Sequence, residues 1–488
     1  MSERQLPSTI DYSRVLPMSI PALAKRHKFY PQNGATFSFV GTDEIRIQVS
    51  SQNALLDAAH GYLEFELRNT TAAPAALTFG PDSGGAMNYF RRCAVEQGGK
   101  ILSECHDVNR LYAAVLNPCQ LASSGKASDG IRGSTRAYNS LLAASNAPAA
   151  PGLTGDSYVC ASHNTNAYFG AGVAHRFTMP VTSGLFGQDK LIPLPLVNPN
   201  EPLTIVLNMA NPLQAGCWSG PAVGADDLEI LNVCYTAQLI EVGRDVIEQF
   251  RGVQNQMGGQ LVLSGQDWET STEPVPGGVA HGQLNLRLPV RKRSIKSVFW
   301  IAQSNDYANT GGLGAGEVYS TSFSGSMNIA SWGLKFGSVV FPSVPIQAWG
   351  DTAAPAVGVF RRGECAMNLA AAFGTLGWQN PTGTLSTITY GTDAGVLASG
   401  DNGVGGAPLV PIGGFTQAVC PFGVSTEAYS RSITESGQDT QTMSQETYLQ
   451  LNWDGGITAG AEDKLVFMWV LFDQHYYFNR DGSITFSN

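Results

Sequence analysis

A chain of 488 residues is long enough for about three average domains, or two of the large all-β kind, and in either case buries a sizeable core. Charged residues make up only 14% against a usual ~25%, while hydrophobic residues reach 43%, so much of the folded surface must be uncharged. A formal charge of −10 argues against a molecule held to nucleic acid or anionic lipid by its overall field, leaving only local basic patches for such contacts.

From the N-terminus, Met1 to Arg14 carries Glu3, Arg4, Asp11 and Arg14 and no apolar stretch, so it does not read as a secretory signal. Lys25-Arg26-His27-Lys28 follows in a proline-flanked segment that no periodic pattern claims. It is either a solvated linker or an arm that touches a genome, a membrane or a partner. Strict alternation begins after it: Ile45, Ile47 and Val49 against Arg46 and Gln48, then Leu63, Phe65 and Leu67 against Glu64, Glu66 and Arg68, which predicts strands with one buried face. The sequon Asn69-Thr70-Thr71 is a single chance-level match in a chain rich in Asn and Thr. One helix is predicted with Ser103 as cap, Glu104 at its positive end, a stripe of Val108, Leu111, Tyr112 and Val115, and Asn117-Pro118 as stop. A second, short one is predicted over Asp245 to Arg251.

In the second half the alternation returns at Leu284, Leu286 and Leu288 and at Leu449, Leu451 and Trp453. The continuous apolar stretches Ser297 to Ala302 and Leu465 to Phe472 predict strands covered on both faces, hence two packed sheets; the latter, eight residues long, is far short of the ~20 needed to span a bilayer. Gly and Pro, 55 and 26 residues, suit many strands joined by many loops. Two long stretches without periodicity, Gln120 to Gly172 and Thr375 to Ala418, fall one in each half, and residues 120–172 yield no strand assignment. Gln238, Arg244 and Asp245 recur at an offset of 236 as Gln474, Arg480 and Asp481, close to half the chain length. A duplicated sandwich accounts for this, with its break between Gly243 and Gln260.

The candidate chemical motifs fail on spacing. Ala58-Ala59-His60 and Asp82-Ser83-Gly84-Gly85 echo the histidine and serine boxes of trypsin-like proteases but lie too close together to furnish the two walls of that site. The seven histidines form no H-x-x-x-H or H-E-x-x-H; Cys105-His106 could be imagined as ligands with Cys93 or Cys119, but adjacent helix positions point about 100° apart, and a buried thiol beside a solvated imidazole is the simpler reading. Gly311 to Gly316 lacks the third glycine of a dinucleotide fingerprint, and Asp226-Asp227 reads as solvated loop charge. The eight cysteines show no C-x-x-C and read as reduced, mostly buried thiols of a cytosolic product. Arg291-Lys292-Arg293 with Lys296 reads as gatekeepers flanking an apolar strand. No catalytic residue, cofactor or metal site is expected.

The order of segments resembles the double jelly-roll major capsid proteins of icosahedral double-stranded DNA viruses, in the lineage of Polinton-like viruses, virophages and nucleocytoplasmic large DNA viruses. The resemblance spans nearly the whole chain: Ile45 to Val49, Leu55-Leu56-Asp57 before Tyr62-Leu63-Glu64-Phe65, Phe90-Arg91-Arg92 through Gly98-Gly99 into Glu104 to Leu116, Ser183-Gly184-Leu185-Phe186-Gly187, Ile192-Pro193-Leu194 and Leu203 to Met209 in the first half. In the second half it rests on Arg293 to Ser297, Phe341-Pro342-Ser343-Val344-Pro345, Ser436-Gly437 with Thr440, Phe467 to Phe472 and Asp481-Gly482. It implies an all-β fold of two consecutive eight-stranded jelly rolls with few short helices and long surface loops: an N-terminal arm over 1–34, a first roll over 35–250 and a second over 251–488. It further implies a structural protein of the virion with no enzymatic role, no cofactor and no small-molecule substrate, made and assembled inside the infected cell. Its partners would be itself, as a homotrimer and then as neighbouring trimers of a shell, together with penton and minor capsid proteins. Lys25, Arg26 and Lys28 would be inner-surface contacts of the arm to a genome or an internal membrane. The alternative is a secreted jelly-roll protein that binds glycans or acts on them as an amidase or hydrolase.

Overall fold

The computed structural model of the protein describes residues 22–39, 41, 43–70, 78–80, 85–116, 174–188, 190–211, 217–219, 228–256, 258–279, 281–305, 318–321, 324–325, 327, 329–348, 362–376, 420–428, 437–441, 446–453 and 463–487. The aperiodic stretch 120–172, most of 375–418, the glycine-rich 311–316, Asp226-Asp227 and Asp82 to Gly84 lie outside the described residues.

The first half lays down β1 (Ala22–Phe29), β2 (Thr36–Ser38), β3 (Glu44–Val49), β4 (Ala54–Asn69), β5 (Thr78–Gly80), β6 (Phe90–Gln97), β7 (Lys100–His106), β8 (Ala174–Met179), β9 (Leu203–Met209), β10 (Cys217–Ser219) and β11 (Leu228–Val242). The second lays down β12 (Gln260–Val275), β13 (Gln283–Leu288), β14 (Ile295–Ser304), β15 (Val318–Ser320), β16 (Ser331–Phe336), β17 (Val339–Gln347), β18 (Phe422–Ser425), β19 (Thr447–Asn452), β20 (Lys464–Asn479) and β21 (Ile484–Ser487).

Two sheets of the first half run β1-β11-β4-β8 and β3-β9-β6-β7; two of the second run β12-β20-β14-β18 and β13-β19-β16-β17, and every ladder is antiparallel. Numbering the eight long strands of either half in chain order gives the same arrangement twice: 1-8-3-6 facing 2-7-4-5. That is the jelly-roll order, so each half is one roll and the duplication read from Gln238 and Gln474 is real, since β11 and β20 are the equivalent eighth strands. A fifth, small sheet, β15-β10-β5, takes strands from both halves.

The alternating stretches form the predicted half-buried strands: Ile45, Ile47 and Val49 of β3 and Leu63, Phe65 and Leu67 of β4 are fully buried. Inside the second roll Trp300 of β14 meets Trp332 of β16 edge-on at 5.5 Å and stacks on Phe422 of β18 at 4.0 Å, joining the two sheets. The continuous apolar runs have a second cover besides the facing sheet. Phe299 points to the other side of β14, against Phe373 at 5.1 Å on a helix at Arg362–Gly374, and Gly423 of β18 leaves the room this requires, since a Cβ there would sit 2.8 Å from Leu369 and 2.9 Å from Phe299. That helix carried no capping or periodic signal strong enough to be predicted.

Three expectations need correction. The helix expected from Ser103 starts later: Ser103 to His106 belong to β7, paired with β6, and Asp107, at φ 49°, turns the chain into α1 (Val108–Arg110), which continues as a π-helical turn to Leu116. Its stripe of Val108, Leu111 and Val115 is buried as predicted. The second helix is longer than expected, α2 (Arg244–Gln256), and bridges the two rolls across the position 250/251. The third concerns residues 22–29 of the expected arm, which form β1, paired along its whole length with β11 and numbered among the eight strands of the first roll. Its side chains alternate too little for a sequence signal, because nearly all are exposed; backbone pairing holds the strand. The remaining helix, at Arg362–Gly374, is α3.

Candidate functional site at the junction of the two rolls

β7, at the edge of one sheet of the first roll, lies against β12, at the edge of a sheet of the second. Two glycines approach each other closely at this junction. A Cβ on Gly265 of β12 would overlap the carbonyl oxygen of Gly184, and one on Gly184 would fall 2.6 Å from the Tyr476 hydroxyl. Backbones this close require glycine on both sides.

Beside them sits Asp267, whose carboxylate is buried and bonded from both rolls. Its Oδ1 accepts from Ser103 Oγ at 2.9 Å, from the Gly184 N–H at 3.3 Å and from its neighbour's Trp268 N–H at 2.9 Å; its Oδ2 accepts from the Tyr476 hydroxyl at 3.1 Å. Burial pushes the carboxyl up to about 6, a shift that the bonds from Trp268, Ser103, Tyr476 and Gly184 limit without cancelling. Burial and the facing carboxylate likewise push the Tyr476 hydroxyl well up.

Further polar bonds run the length of the seam. Gln474 Nε2 donates to the Leu102 carbonyl at 3.1 Å, and Thr270 Oγ1 and Trp469 Nε1 both donate to the His106 carbonyl, at 3.1 and 3.2 Å. Gln97 uses both ends of its amide on the C-terminal segment, donating to the Gly482 carbonyl at 2.7 Å and accepting from the Ile484 N–H at 2.6 Å. At the other end Arg110, 3% exposed, is held by Asp107 at 2.8 Å, donates to Gln303 Oε1 at 2.9 Å and lies over the Phe467 ring at 4.5 Å. Each of these groups would be costly to bury alone, so the rolls are held in one relative orientation.

The residues singled out from the sequence fall into several places. Ser103, expected to cap a helix, instead bonds Asp267 across the seam. Glu104 pairs with His106 at 3.0 Å and with Arg92; the His106 bond first, then Arg92, hold its carboxyl down at about 2 against the effect of burial. Cys93 and Cys105 face each other across the β6–β7 ladder, and burial pushes the Cys93 thiol up to about 12, so both are inert as nucleophiles. His106 is half exposed, and among the described residues no cluster of His, Cys, Asp and Glu has the makings of a metal site. His60 bonds Asp57 at 2.8 Å on β4, an ordinary local pair.

The basic residues divide. Lys25 pairs with Glu241 at 2.8 Å, and Arg26 and Lys28 share Glu64 at 3.4 and 2.6 Å. Burial opposes ionisation of Glu64, but Lys28 outweighs it and holds the carboxyl below its ordinary value. Lys296, read with Arg291 to Arg293 as a gatekeeper flanking an apolar strand, is buried between Glu427 at 2.8 Å and Asp473 at 3.5 Å. Asp267 and Gln97 were not singled out at all, because their partners lie 164 and 385 residues away in the chain.

Comparison with solved structures finds the same fold at low identity. The chain is similar to VP54 of PBCV-1 fitted into a cryo-EM reconstruction of the virophage Sputnik, at TM-score 0.55 and 9% identity over 98% of this chain and 99% of that one. It is similar to the PBCV-1 virus capsid, at TM-score 0.53 and 10% identity over 98% and 99%, and to the Faustovirus major capsid protein, at TM-score 0.51 and 8% identity over 96% and 92%. At these identities the likeness establishes the fold alone, a double jelly roll from end to end. No protein-family model and no curated protein matches the chain.

Proposed function

We propose that this chain is a major capsid protein, a structural tile that homotrimerises into a pseudo-hexagonal capsomer and paves an icosahedral shell around a double-stranded DNA genome. The observation that carries this reading is the duplication: two rolls of identical strand order, locked by buried polar bonds into one orientation. Three such chains offer six similar rolls around one axis, which is how a threefold assembly approximates a hexagon. A low charge content fits a chain that buries much of its surface against copies of itself, where unpaired ions are costly. The structural neighbours are capsid proteins of viruses, and the likeness covers both rolls.

Under this reading the chain's partners are its own copies first, then penton and minor capsid proteins, and its place is the virion. A genome or membrane contact through Lys25, Arg26 and Lys28 competes with Glu241 and Glu64, whose two carboxylates offset two of these three charges. Size-exclusion chromatography with light scattering tests the proposal: a stable trimer of about 155 kDa, three times the 51.8 kDa chain, that survives high salt supports it. A monomer that binds or cleaves oligosaccharides refutes it and favours a glycan-directed roll.

A further inference from the structure

We propose that the cleft where α2, the segment 195–199 and the C-terminal turn 480–482 meet is a docking site for an acidic peptide segment, its carboxylates taken by Arg251 and Arg480. The cleft has a volume of about 420 Å³ and opens to solvent, and both arginines line it. Most cations in the described structure are spoken for: Arg46, Arg68, Arg92, Arg110, Arg176 and Arg287 each hold a carboxylate. Arg251 and Arg480 make no ion pair and no side-chain hydrogen bond among the described residues, and both are exposed. The nearest carboxylate in the lining, Asp481, is engaged by the N–H and hydroxyl of Ser483 at 2.9 and 2.7 Å. Among the described residues these are the two arginines without an ion pair that line one cleft, and a planar guanidinium is suited to bidentate capture of a carboxylate.

The walls are fixed before any ligand arrives. Gln254 of α2 donates to the Phe478 carbonyl at 2.8 Å, which pins the helix to β20. The Gly482 carbonyl accepts from the Asn198 N–H at 2.9 Å and from Gln97, and at φ +82° a Cβ on Gly482 would fall 2.6 Å from the Asn198 nitrogen. A rigid cleft loses little entropy when it is filled. The rest of the lining mixes Asn198 and Asn255 with Pro195 and Pro199, so it offers hydrogen bonds to a peptide backbone beside a small apolar wall, which suits a peptide segment better than a bare ion. A long polyanion is disfavoured, because α2 also carries Asp245 and Glu248 and the chain's net charge is −10. The site joins both rolls, so a segment seated there would also bridge them.

This inference does not depend on the shell reading and is tested on the full chain by fluorescence anisotropy. The probes are a fluorescein-labelled capped hexapeptide of alternating leucine and glutamate, its glutamine counterpart, sodium phosphate and a fifteen-residue thymidine oligonucleotide, all at constant ionic strength. The glutamate peptide is expected to bind about tenfold tighter than the glutamine peptide, with R251Q and R480Q each weakening it about fivefold at unchanged melting temperature. Equal binding of the two peptides, unaltered binding by either variant, or displacement of the peptide by millimolar phosphate or by the oligonucleotide overturns it. Chromatography of the same sample separates the two proposals: a trimer that ignores the peptide sinks this one alone, and a monomer that binds it sinks only the shell reading.

Discussion

Replacing Asp267 by Asn separates charge from hydrogen bonding at the heart of the seam. The amide keeps an acceptor for Ser103 and for the Gly184 and Trp268 N–H groups, and the Tyr476 hydroxyl can turn to accept from the new NH2. What disappears is the cost of holding a buried negative charge. With the carboxyl moved from 3.8 up to about 6, that cost is roughly 3 kcal/mol at pH 7. The folded state binds the proton more tightly than the unfolded chain, so this contribution destabilises as pH rises from about 4 through 6 and is absent below both values. The difference in stability between D267N and the native chain therefore isolates it from every other titrating carboxylate. Urea unfolding at pH 7 is expected to show D267N as stable as the native chain or up to roughly 3 kcal/mol more so, and that advantage shrinks as pH falls to 4. D267A, which removes the acceptor of the Ser103 and Tyr476 hydroxyls and leaves the Gly184 N–H only its bond to Ser103 Oγ, loses roughly 2–4 kcal/mol instead. A pH-independent difference between D267N and the native chain refutes the assignment of a strained buried charge to this position.

Truncating Gln97 to Ala breaks both of its bonds to the C-terminal segment, with an expected loss of roughly 2–3 kcal/mol and, by hydrogen exchange, selective loss of protection at the Ile484 amide. K296M strands Glu427 and Asp473 without their buried cation, an expected loss of about 3–5 kcal/mol read from the urea midpoint. G265A drives a Cβ into the Gly184 carbonyl and is expected to cost roughly 3 kcal/mol or more, whereas G252A, on α2 with nothing within 4 Å of the added methyl, is expected to stabilise by about 0.5–1 kcal/mol; differential scanning calorimetry reads both.

Much of the fold was legible because it is written in local periodicity. The alternations at Ile45 to Val49 and Leu63 to Leu67 mark strands with one face in and one face out, and a shift by one residue would reverse them. The recurrence of Gln238 as Gln474 marked the duplication, since β11 and β20 hold the same position in their rolls. What escaped was information held by distant partners. Ser103 and Glu104 form a plausible cap, and only the pairing of β7 with β6 and the presence of Asp267 on another roll make them strand residues. β1 has no apolar face to announce it; its state depends on a ladder with residues more than 200 positions away. Phe467 and Trp469 looked like the inside of a sandwich, but their side of β20 is met by Arg110 and by the His106 carbonyl of the first roll.

The polar character of the seam itself bears on what the duplicated fold can do. An apolar contact between two rolls would be strong but tolerant, because oily surfaces slide over one another at little cost. Here the contact is specified by directional bonds, Gln97 to Gly482, Gln474 to Leu102 and Ser103 to Asp267, and by a glycine-on-glycine approach that admits one register. A shift of about an ångström strands buried donors or drives backbone atoms together, and each stranded group costs about 1–3 kcal/mol. These bonds oppose a hinge between the rolls at modest net gain in stability, since such bonds add little beyond what water would supply. Orientation is what they purchase, and a fixed orientation is what the proposed tile requires.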